Sequence, residues 1–374
     1  MKFVSCIGAG LMAAAFACIS GGTLAAEDAT TFMLNPAHDG NIKLKGFNPP
    51  LKLKWSRDLG GNVTYPLIAN GRIYVTTDRN PDNGNGSTVY ALDLHSGDIL
   101  WQQGIGGTYN NATMTYDHGQ VFALDDAGQL YGFDGETGTP GLNIHLGDEY
   151  STNEPPVADR GTIYASEQGV YAIDEETGAE KWHQFYSWGT FPALGGKNLF
   201  TENGSWLYST SQKGKTKWHQ TDTGGAPAFY KGRIYTTYGN VIDAGTSEVV
   251  TTLPPVDRLM AFWSDKTTDY RLGISNGQLS AIDVNTGTVA WTFSGDSTLI
   301  TAPIVINDRI AVGSSAGTLY LVDAATGTQR WSQTVPAGIS ATGWIPWISM
   351  AAGDGALAVP GGNSLTVFVS GKKN

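Results

Sequence analysis

The fold is decided by a stretch in the middle of the chain, Ala172-Ile173-Asp174-Glu175-Glu176-Thr177-Gly178-Ala179-Glu180-Lys181-Trp182. Its pattern is A-x-D-x-x-T-G-x-x-x-W, and clear copies begin at Ala91, Ala281 and Leu321. Weaker copies fill the intervals between them. The tryptophan position of the repeat falls at residues 55, 101, 142, 182, 218, 251, 291 and 331, so successive copies are 33 to 46 residues apart.

A repeat of about 40 residues that contains short apolar strands predicts a β-propeller with four strands in each blade. In the copy quoted above, the first three strands are expected at residues 156–158, 162–165 and 170–174, and the fourth ends at Trp182. Asp and Thr side chains can bind backbone amides in a tight turn, and Gly accepts the positive φ that such a turn requires. The repeat is therefore first a folding device.

Eight copies predict an all-β, eight-bladed β-propeller with four antiparallel strands per blade over residues 51–371. The last copy supplies only three strands before the chain stops. Its missing fourth strand is expected at residues 51–55, paired with residues 365–369. Pairing the two ends of the chain in one blade would close the ring and leave no open strand edge.

The first 26 residues have the form of a secretory signal peptide, with one lysine, an apolar run and small residues before the expected cleavage after Ala25 or Ala26. We therefore expect a secreted or periplasmic protein. Both cysteines, Cys6 and Cys18, lie in this leader. The residues before Cys18 lack the large aliphatic residue of a lipid-attachment box, so a lipid anchor is the less favoured alternative. No later stretch is apolar enough to span a membrane.

The composition of the remaining chain excludes several classes of site. Cleavage at residue 26 removes both cysteines, and with them disulfides, thiolate metal sites and covalently attached haem. The net charge of −11 opposes binding to nucleic acid. The sequence contains no His pair at metal spacing, no G-x-S-x-G and no phosphate loop, so a hydrolase or nucleotide enzyme has no support. We expect a single domain and a monomer.

Two kinds of loop lie on one face of a propeller, those from the fourth strand of a blade to the next blade and those between second and third strands. We call this side the variable face. Its loops are rich in aromatic and amide side chains, which suit a sugar, a peptide segment or a planar cofactor. The alternative is that some of these aromatics pack beneath their own loops. The candidate ligand-binding residues are Tyr65, Tyr109, Asn110, Glu149, Tyr150, Asn153, Tyr186, Trp188, Asp296 and Trp344.

One loop on this face could bind calcium. Asp78, Asn80 and Asp82 place oxygen ligands on alternate residues, as calcium loops do. The fit is partial because the twelfth position is Val89 and not an acidic residue. The alternative is a solvated polar insertion.

Two further expectations concern the rest of the surface. Residues 27–50 are expected to form an irregular lead-in that lies across the propeller. The repeat turns are expected on the face opposite to the variable face, with Glu175 and Glu176 exposed there.

The repeat resembles the tryptophan-docking motif of the pyrroloquinoline-quinone-type propellers, over residues 51–371. In that superfamily the repeat tryptophan packs between neighbouring blades. The resemblance implies the same role for Trp101, Trp182, Trp218, Trp291 and Trp331. Leu142 and Thr251 depart from the pattern, and looser junctions are expected at those two blades.

The resemblance implies two classes of function. The quinone-dependent dehydrogenases of the superfamily are longer and hold their cofactor against a disulfide between adjacent cysteines, with calcium beside it, so pyrroloquinoline quinone is not expected here. BamB-like members are non-catalytic scaffolds of the outer-membrane β-barrel assembly machinery, and this chain is similar to them in length. We therefore expect a non-catalytic propeller that binds a protein segment or a glycan. The alternatives are a quinone-dependent dehydrogenase and a polysaccharide-active enzyme.

Overall fold

A computed structural model describes residues 28–78, 86–106, 112–147, 154–186, 191–340 and 348–371. The described residues contain no helix and form eight sheets, each with four antiparallel strands from the repeats. The eight-bladed all-β propeller is therefore confirmed. Two strands precede the first complete blade, namely β1 (Asn41–Ile42) and β2 (Leu51–Asp58).

Four blades form the first half of the ring, and the strands of each blade lie side by side in chain order. First strands are buried and contact one another around the ring, so they line the central channel. Fourth strands are largely exposed and form the outer rim. Blade by blade, the strands are β3 (Leu67–Ala69), β4 (Arg72–Thr77), β5 (Ser87–Asp93) and β6 (Ile99–Ile105); β7 (Thr113–Asp117), β8 (Gln120–Leu124), β9 (Gln129–Asp134) and β10 (Pro140–His145); β11 (Val157–Asp159), β12 (Thr162–Ser166), β13 (Gly169–Asp174) and β14 (Glu180–Phe185); β15 (Phe191–Gly195), β16 (Asn198–Asn203), β17 (Trp206–Ser211) and β18 (Thr216–Gln220).

The second half of the ring repeats this order in three blades, and the eighth blade takes its outer strand from the start of the chain. These strands are β19 (Pro227–Tyr230), β20 (Arg233–Thr236), β21 (Asn240–Asp243) and β22 (Val249–Thr252); β23 (Ala261–Ser264), β24 (Asp269–Ser275), β25 (Gln278–Asp283) and β26 (Val289–Phe293); β27 (Ile304–Ile306), β28 (Arg309–Gly313), β29 (Thr318–Asp323) and β30 (Gln329–Thr334); β31 (Ala351–Gly353), β32 (Ala356–Gly361) and β33 (Ser364–Ser370).

The ring is closed by pairing of the two ends of the chain. Strand β2 pairs antiparallel with β33, with Leu51 opposite Ser370 and Trp55 opposite Val367. The predicted closure is confirmed. The pairing gives the eighth blade four strands, as in the other blades, so no strand edge is left unpaired where the first and last blades meet.

Neighbouring blades are joined by the repeat tryptophans. The indole N–H of Trp101 donates to the Gly135 carbonyl oxygen at 3.0 Å, and that of Trp291 donates to the Ala324 oxygen at 3.1 Å. In each case the acceptor lies in the repeat turn of the next blade. Corresponding bonds are made by Trp55, Trp182 and Trp218, to Leu94, Gln212 and Ala244.

The indole ring of the repeat tryptophan also covers the glycine of the repeat turn in the next blade. A Cβ atom on Gly138 would lie only 2.6 Å from the Trp101 ring, and φ at Gly138 is 72°. Both the lack of space for a side chain and the positive φ therefore require glycine. Where tryptophan is missing, the junctions differ. The space over Gly178 is filled by Leu142 and Ile144, whereas the nearest atom to a Cβ on Gly287 would be 3.8 Å away. The junction after Thr251 is the more open of the two.

Residues 28–44, which we call the channel segment, lie inside the central channel. The segment meets the first strand of one blade after another around the ring. Its backbone bonds join Ala29 to Ile68, Thr30 to Tyr116, Pro36 to Leu194, Ala37 to Phe229, Asp39 to Phe262 and Gly40 to Val305. Strand β1 also pairs in parallel with β27, as a fifth strand of the seventh blade.

The expectation that the lead-in lies across the propeller surface was wrong. Phe32, Met33 and Leu34 are each no more than 2% exposed, and Phe32 packs edge-on against Tyr65 at 5.0 Å. The physical reason lies in the innermost strands, whose inner edges present backbone N–H and C=O groups that need partners. The segment supplies those partners and buries its own apolar side chains.

Replacing Trp101 by alanine should lower the free energy of unfolding by about 3–5 kcal/mol, the usual loss for a large buried aromatic. Trp101 is 8% exposed. Trp206 is 38% exposed on the third strand of the fourth blade, so Trp206→Ala serves as the matched control and should cost much less. Chemical denaturation measures both. Equal losses would contradict a special role for the repeat tryptophans.

The channel segment also predicts an acid dependence of stability. Burial lowers the pKa of the His38 imidazole from 6.5 to about 3, although the nearby Pro227 carbonyl favours protonation slightly. Neither ring nitrogen meets a hydrogen-bonding partner within the described residues. Between these pH values the unfolded chain binds a proton that the folded chain excludes. The free energy of unfolding should therefore fall as the pH is lowered through this window, by up to about 5 kcal/mol.

The loss of stability that His38 causes at low pH should be absent in the His38→Leu variant. Urea denaturation near neutral pH and near pH ~4 measures the stability of both proteins. Relative to wild type, the variant should have a higher free energy of unfolding at the lower pH than it has near neutral pH. A difference that is the same at both pH values would contradict a buried, neutral His38.

Candidate functional site

A cleft of about 320 Å³ opens on the variable face between the third and sixth blades. Its walls come from loops that lead into first strands and from turns between second and third strands, so the propeller frame positions them. We call it the variable-face cleft. It is lined by Glu154, Phe191, Glu202, Tyr238, Asp257 and Arg258, among others.

The charges of this cleft are predominantly acidic. Burial raises the pKa of Glu202 to about 7, although the backbone amides of Gly225 and Gly204 oppose the shift. The side chain therefore gains its negative charge near neutral pH. Arg258 is held in place by two backbone carbonyl groups. Its Nε donates to the Ile300 backbone oxygen at 3.1 Å, and its Nη1 donates to the Asp257 backbone oxygen at 2.8 Å. The cleft is thus lined by three carboxyl groups, those of Glu154, Glu202 and Asp257, and by one guanidinium group, that of Arg258.

Tyr238 supplies an accessible aromatic surface beside these charges. It is 67% exposed and stands in the turn between the second and third strands of the fifth blade. A second cavity of about 200 Å³ shares Asp257 and Arg258 with the cleft and continues towards Thr298 and Ser315. We call the two cavities together the acidic groove, since its charged lining residues are three carboxyl groups and one guanidinium group. With Tyr238 at one edge, it suits a segment that carries basic and apolar side chains.

Most of the residues predicted to bind a ligand lie outside the described residues. This holds for Tyr109, Asn110, Glu149, Tyr150, Asn153, Trp188 and Trp344, and for Asn80 and Asp82 of the calcium hypothesis. The structure places the other four, Tyr65, Tyr186, Asp296 and Asp78.

Tyr65 does not reach the surface. It is 1% exposed, its hydroxyl donates to the Met114 oxygen at 2.7 Å, and its oxygen accepts from the Met114 N–H at 2.7 Å. Its ring faces Phe32 of the channel segment. The expectation that Tyr65 contacts a ligand is therefore corrected, because both ends of the side chain are used inside the fold.

Tyr186 and Asp296 remain at the surface but are held by neighbours. The Tyr186 hydroxyl donates to the Gln184 Oε1 at 2.6 Å, and its ring lies 4.3 Å from that of Tyr208. Burial raises the pKa of Asp296, but hydrogen bonds from Ser314 and Thr298 outweigh that effect and hold the pKa below its usual value. Asp296 thus stays charged beside the second cavity.

Asp78 uses its carboxylate to fix a neighbouring loop. Oδ1 accepts from the Asn62 backbone N–H at 2.8 Å, and Oδ2 accepts from the Asn62 side-chain amide. Calcium binding by this loop stays a prediction.

The sequence analysis missed an exposed aromatic group on the third and fourth strands of the fourth blade. Trp206 and Tyr208 stack with ring centroids 6.3 Å apart, and His219 lies 5.4 Å from Trp206. Phe185 at the end of the preceding blade is 70% exposed. The alternation of Trp206 and Tyr208 along β17 was the available signal, since alternate residues of a strand share a face.

Comparison with known proteins gives a family and a fold. The family model described as outer membrane protein assembly factor BamB matches residues 48–220 and 166–374. No curated protein matches the sequence at a significant level. Among the described residues, we find no helix with the length and apolar character needed to cross a membrane.

Solved structures of both functional classes share the fold. A BamB from Moraxella catarrhalis is 15% identical, with a TM-score of 0.66 over 87% of this chain and 99% of that one. A europium-containing methanol dehydrogenase is 13% identical, with a TM-score of 0.71 over 91% and 98%. A quinohemoprotein alcohol dehydrogenase from Comamonas testosteroni is 16% identical, with a TM-score of 0.74 over 93% and 81%. At these identities the likeness shows the propeller alone.

Proposed function

The chain belongs to the family of the outer membrane protein assembly factor BamB, and we propose that it is a non-catalytic propeller that binds a protein segment through its variable face. We place it in the periplasm or outside the cell, in keeping with the signal-peptide form of residues 1–26. The resemblance of the repeats and the family description both support a scaffold of this kind.

One observation carries the proposal. The channel segment fills the central channel with Phe32, Met33, Leu34 and His38, all buried. A planar cofactor would need an open channel end with aromatic walls, and the aromatic residue expected there, Tyr65, packs against the protein's own Phe32. The described residues also contain no cysteine. These features support a binding propeller over one that holds pyrroloquinoline quinone.

The acidic groove on the variable face supports a protein segment as the ligand. Its carboxyl groups would attract basic side chains, and Tyr238 offers a rigid aromatic surface of the kind that anchors binding hot spots. The cleft, at about 320 Å³, is large enough for one or two side chains.

A glycan is the second candidate, favoured by the exposed aromatic group on the fourth blade. Stacked rings such as Trp206 and Tyr208 present a flat surface to the CH-rich face of a sugar. A glycan array would address this candidate, with Trp206→Ala expected to abolish any specific signal.

The proposal predicts that Tyr238→Ala combined with Glu202→Gln weakens partner binding about tenfold or more, which corresponds to about 1.4 kcal/mol. The measurement is the amount of outer-membrane assembly protein recovered from solubilised envelopes by wild type and variant, quantified by mass spectrometry. Tyr238 is exposed, and glutamine keeps an oxygen that can accept from the Gly225 and Gly204 amides, so the melting temperature should be nearly unchanged.

The matched control lies on the opposite face. Glu136→Lys with Glu176→Lys reverses two exposed charges in repeat turns and should leave recovery intact. If the control pair removes binding while the cleft pair retains it, the variable face is the wrong surface. Recovery of no protein partner by wild type, together with a specific glycan signal, would favour the second candidate.

A further inference from the structure

Three potential metal ligands converge on the face of the repeat turns, between the second and third blades. Asp117 and His118 stand in the turn between β7 and β8, and Glu175 stands in the repeat turn after β13. One donor atom from each residue lies within 4.8 Å of the other two. His118 Nδ1 is 2.5 Å from Glu175 Oε1 and 3.7 Å from Asp117 Oδ2.

Comparison of the repeats within the chain shows that Glu175 is unusual at its position. In four other blades the equivalent residue is apolar and buried, namely Leu94, Ala244, Val284 and Ala324. The second blade has Gly135 there, and the fourth has Gln212, which is uncharged and half-buried. Glu175 is equally buried, at 6% exposed, although the sequence suggested an exposed residue. In the third blade, a position that is apolar and buried in four other blades thus holds the carboxylate of Glu175, which faces the neighbouring blade.

Glu175 also has an oxygen that the surrounding protein does not satisfy. Oε1 meets His118, but Oε2 is buried and meets no hydrogen-bond donor within the described residues. Burial raises the pKa of Glu175 and the nearby Asp117 carboxyl adds to the shift, while His118 opposes it. Leaving a buried carboxylate oxygen without a donor is unfavourable unless a ligand or ion approaches it.

We propose that Asp117, His118 and Glu175 form a divalent metal site of the zinc class. One imidazole nitrogen and two carboxylate oxygens are ligands that Zn²⁺ accepts, with the fourth position left to water. Donor atoms around tetrahedral zinc are about 3.3 Å apart, so the His118–Glu175 contact must open by less than about 1 Å. The His118 side chain is 61% exposed, which provides both the freedom to move and a path for the ion.

The site would join two blades that lack a tryptophan contact. The second blade carries Leu142 at the tryptophan position, and Leu142 packs on the turn that contains Glu175. An ion held by Asp117 and His118 of one blade and Glu175 of the next would add a crosslink at that junction. Zinc should therefore raise the melting temperature by mass action.

The test is isothermal titration of ZnCl₂ into the purified protein, expressed without a polyhistidine tag. Wild type should bind one equivalent in a saturable manner and melt at a higher temperature with zinc than in EDTA. Glu175→Leu and His118→Asn should each lose this binding and the rise in melting temperature. Leu and Asn are the residues at the equivalent turn positions of the first blade, Leu94 and Asn70, so both variants should fold.

Glu180→Leu is the matched control, because it removes the carboxylate of another His–Glu pair. His183 Nδ1 lies 2.8 Å from Glu180 Oε1 on the outer strand of the third blade. This variant should bind zinc as wild type does. The proposal is wrong if wild type binds no zinc, or if Glu175→Leu or His118→Asn retains the bound equivalent. A binding loss in Glu180→Leu alone would place the ion at that pair and equally overturn it.

Discussion

The ring depends on one recurring contact, made at four of its junctions, in which the repeat tryptophan lies on the turn glycine of the next blade. Trp101 covers Gly138, whose positive φ and missing side chain make room for the ring. Asp134 holds that turn by accepting the Thr137 N–H at 2.8 Å. The three residue types of the repeat therefore act on one junction, which explains why they recur together. Turns committed to this structural role have little freedom to distinguish ligands, so the specificity that we propose lies on the other face.

The channel segment is the second constraint on function. Its carbonyl oxygens accept from first-strand amides of Leu194, Phe229, Phe262 and Val305, spread over four successive blades. Because the protein completes its own inner edges, the channel is occupied before any ligand arrives. The fold is shared with dehydrogenases as well as with a BamB, so the fold by itself does not decide the function. The filled channel and the acidic groove are the observations that support the binding function that we propose.

The fold could be predicted from the sequence because its signals are local and repeated. Each blade carries the same pattern, and the incomplete last copy pointed to residues 51–55 as its missing strand. The channel segment could not be predicted in this way, since its partners are backbone groups of six blades. Its one signal was the apolar run Phe32-Met33-Leu34, which needed a place to be buried.

The candidate site was predicted less well, for physical reasons that differ by residue. Tyr65 was expected to bind a ligand on the variable face, but no sequence pattern indicated that its ring would be buried against the channel segment. Tyr238 and Arg258 follow no sequence pattern, and they line one cleft only because loops of the fifth and sixth blades lie side by side. Glu175 could have been recognised as buried by aligning it with Leu94 and Val284, because equivalent repeat positions share their burial.

Hydrogen exchange tests most directly whether the channel is occupied by the protein's own chain. The informative amides are those of Leu194, Phe229, Phe262 and Val305, whose acceptors all belong to the channel segment. Our account predicts that they exchange as slowly as amides bonded within the blades. Rapid exchange at these four positions, with the blade amides still protected, would mean that the segment leaves the channel open to a ligand and would contradict the account.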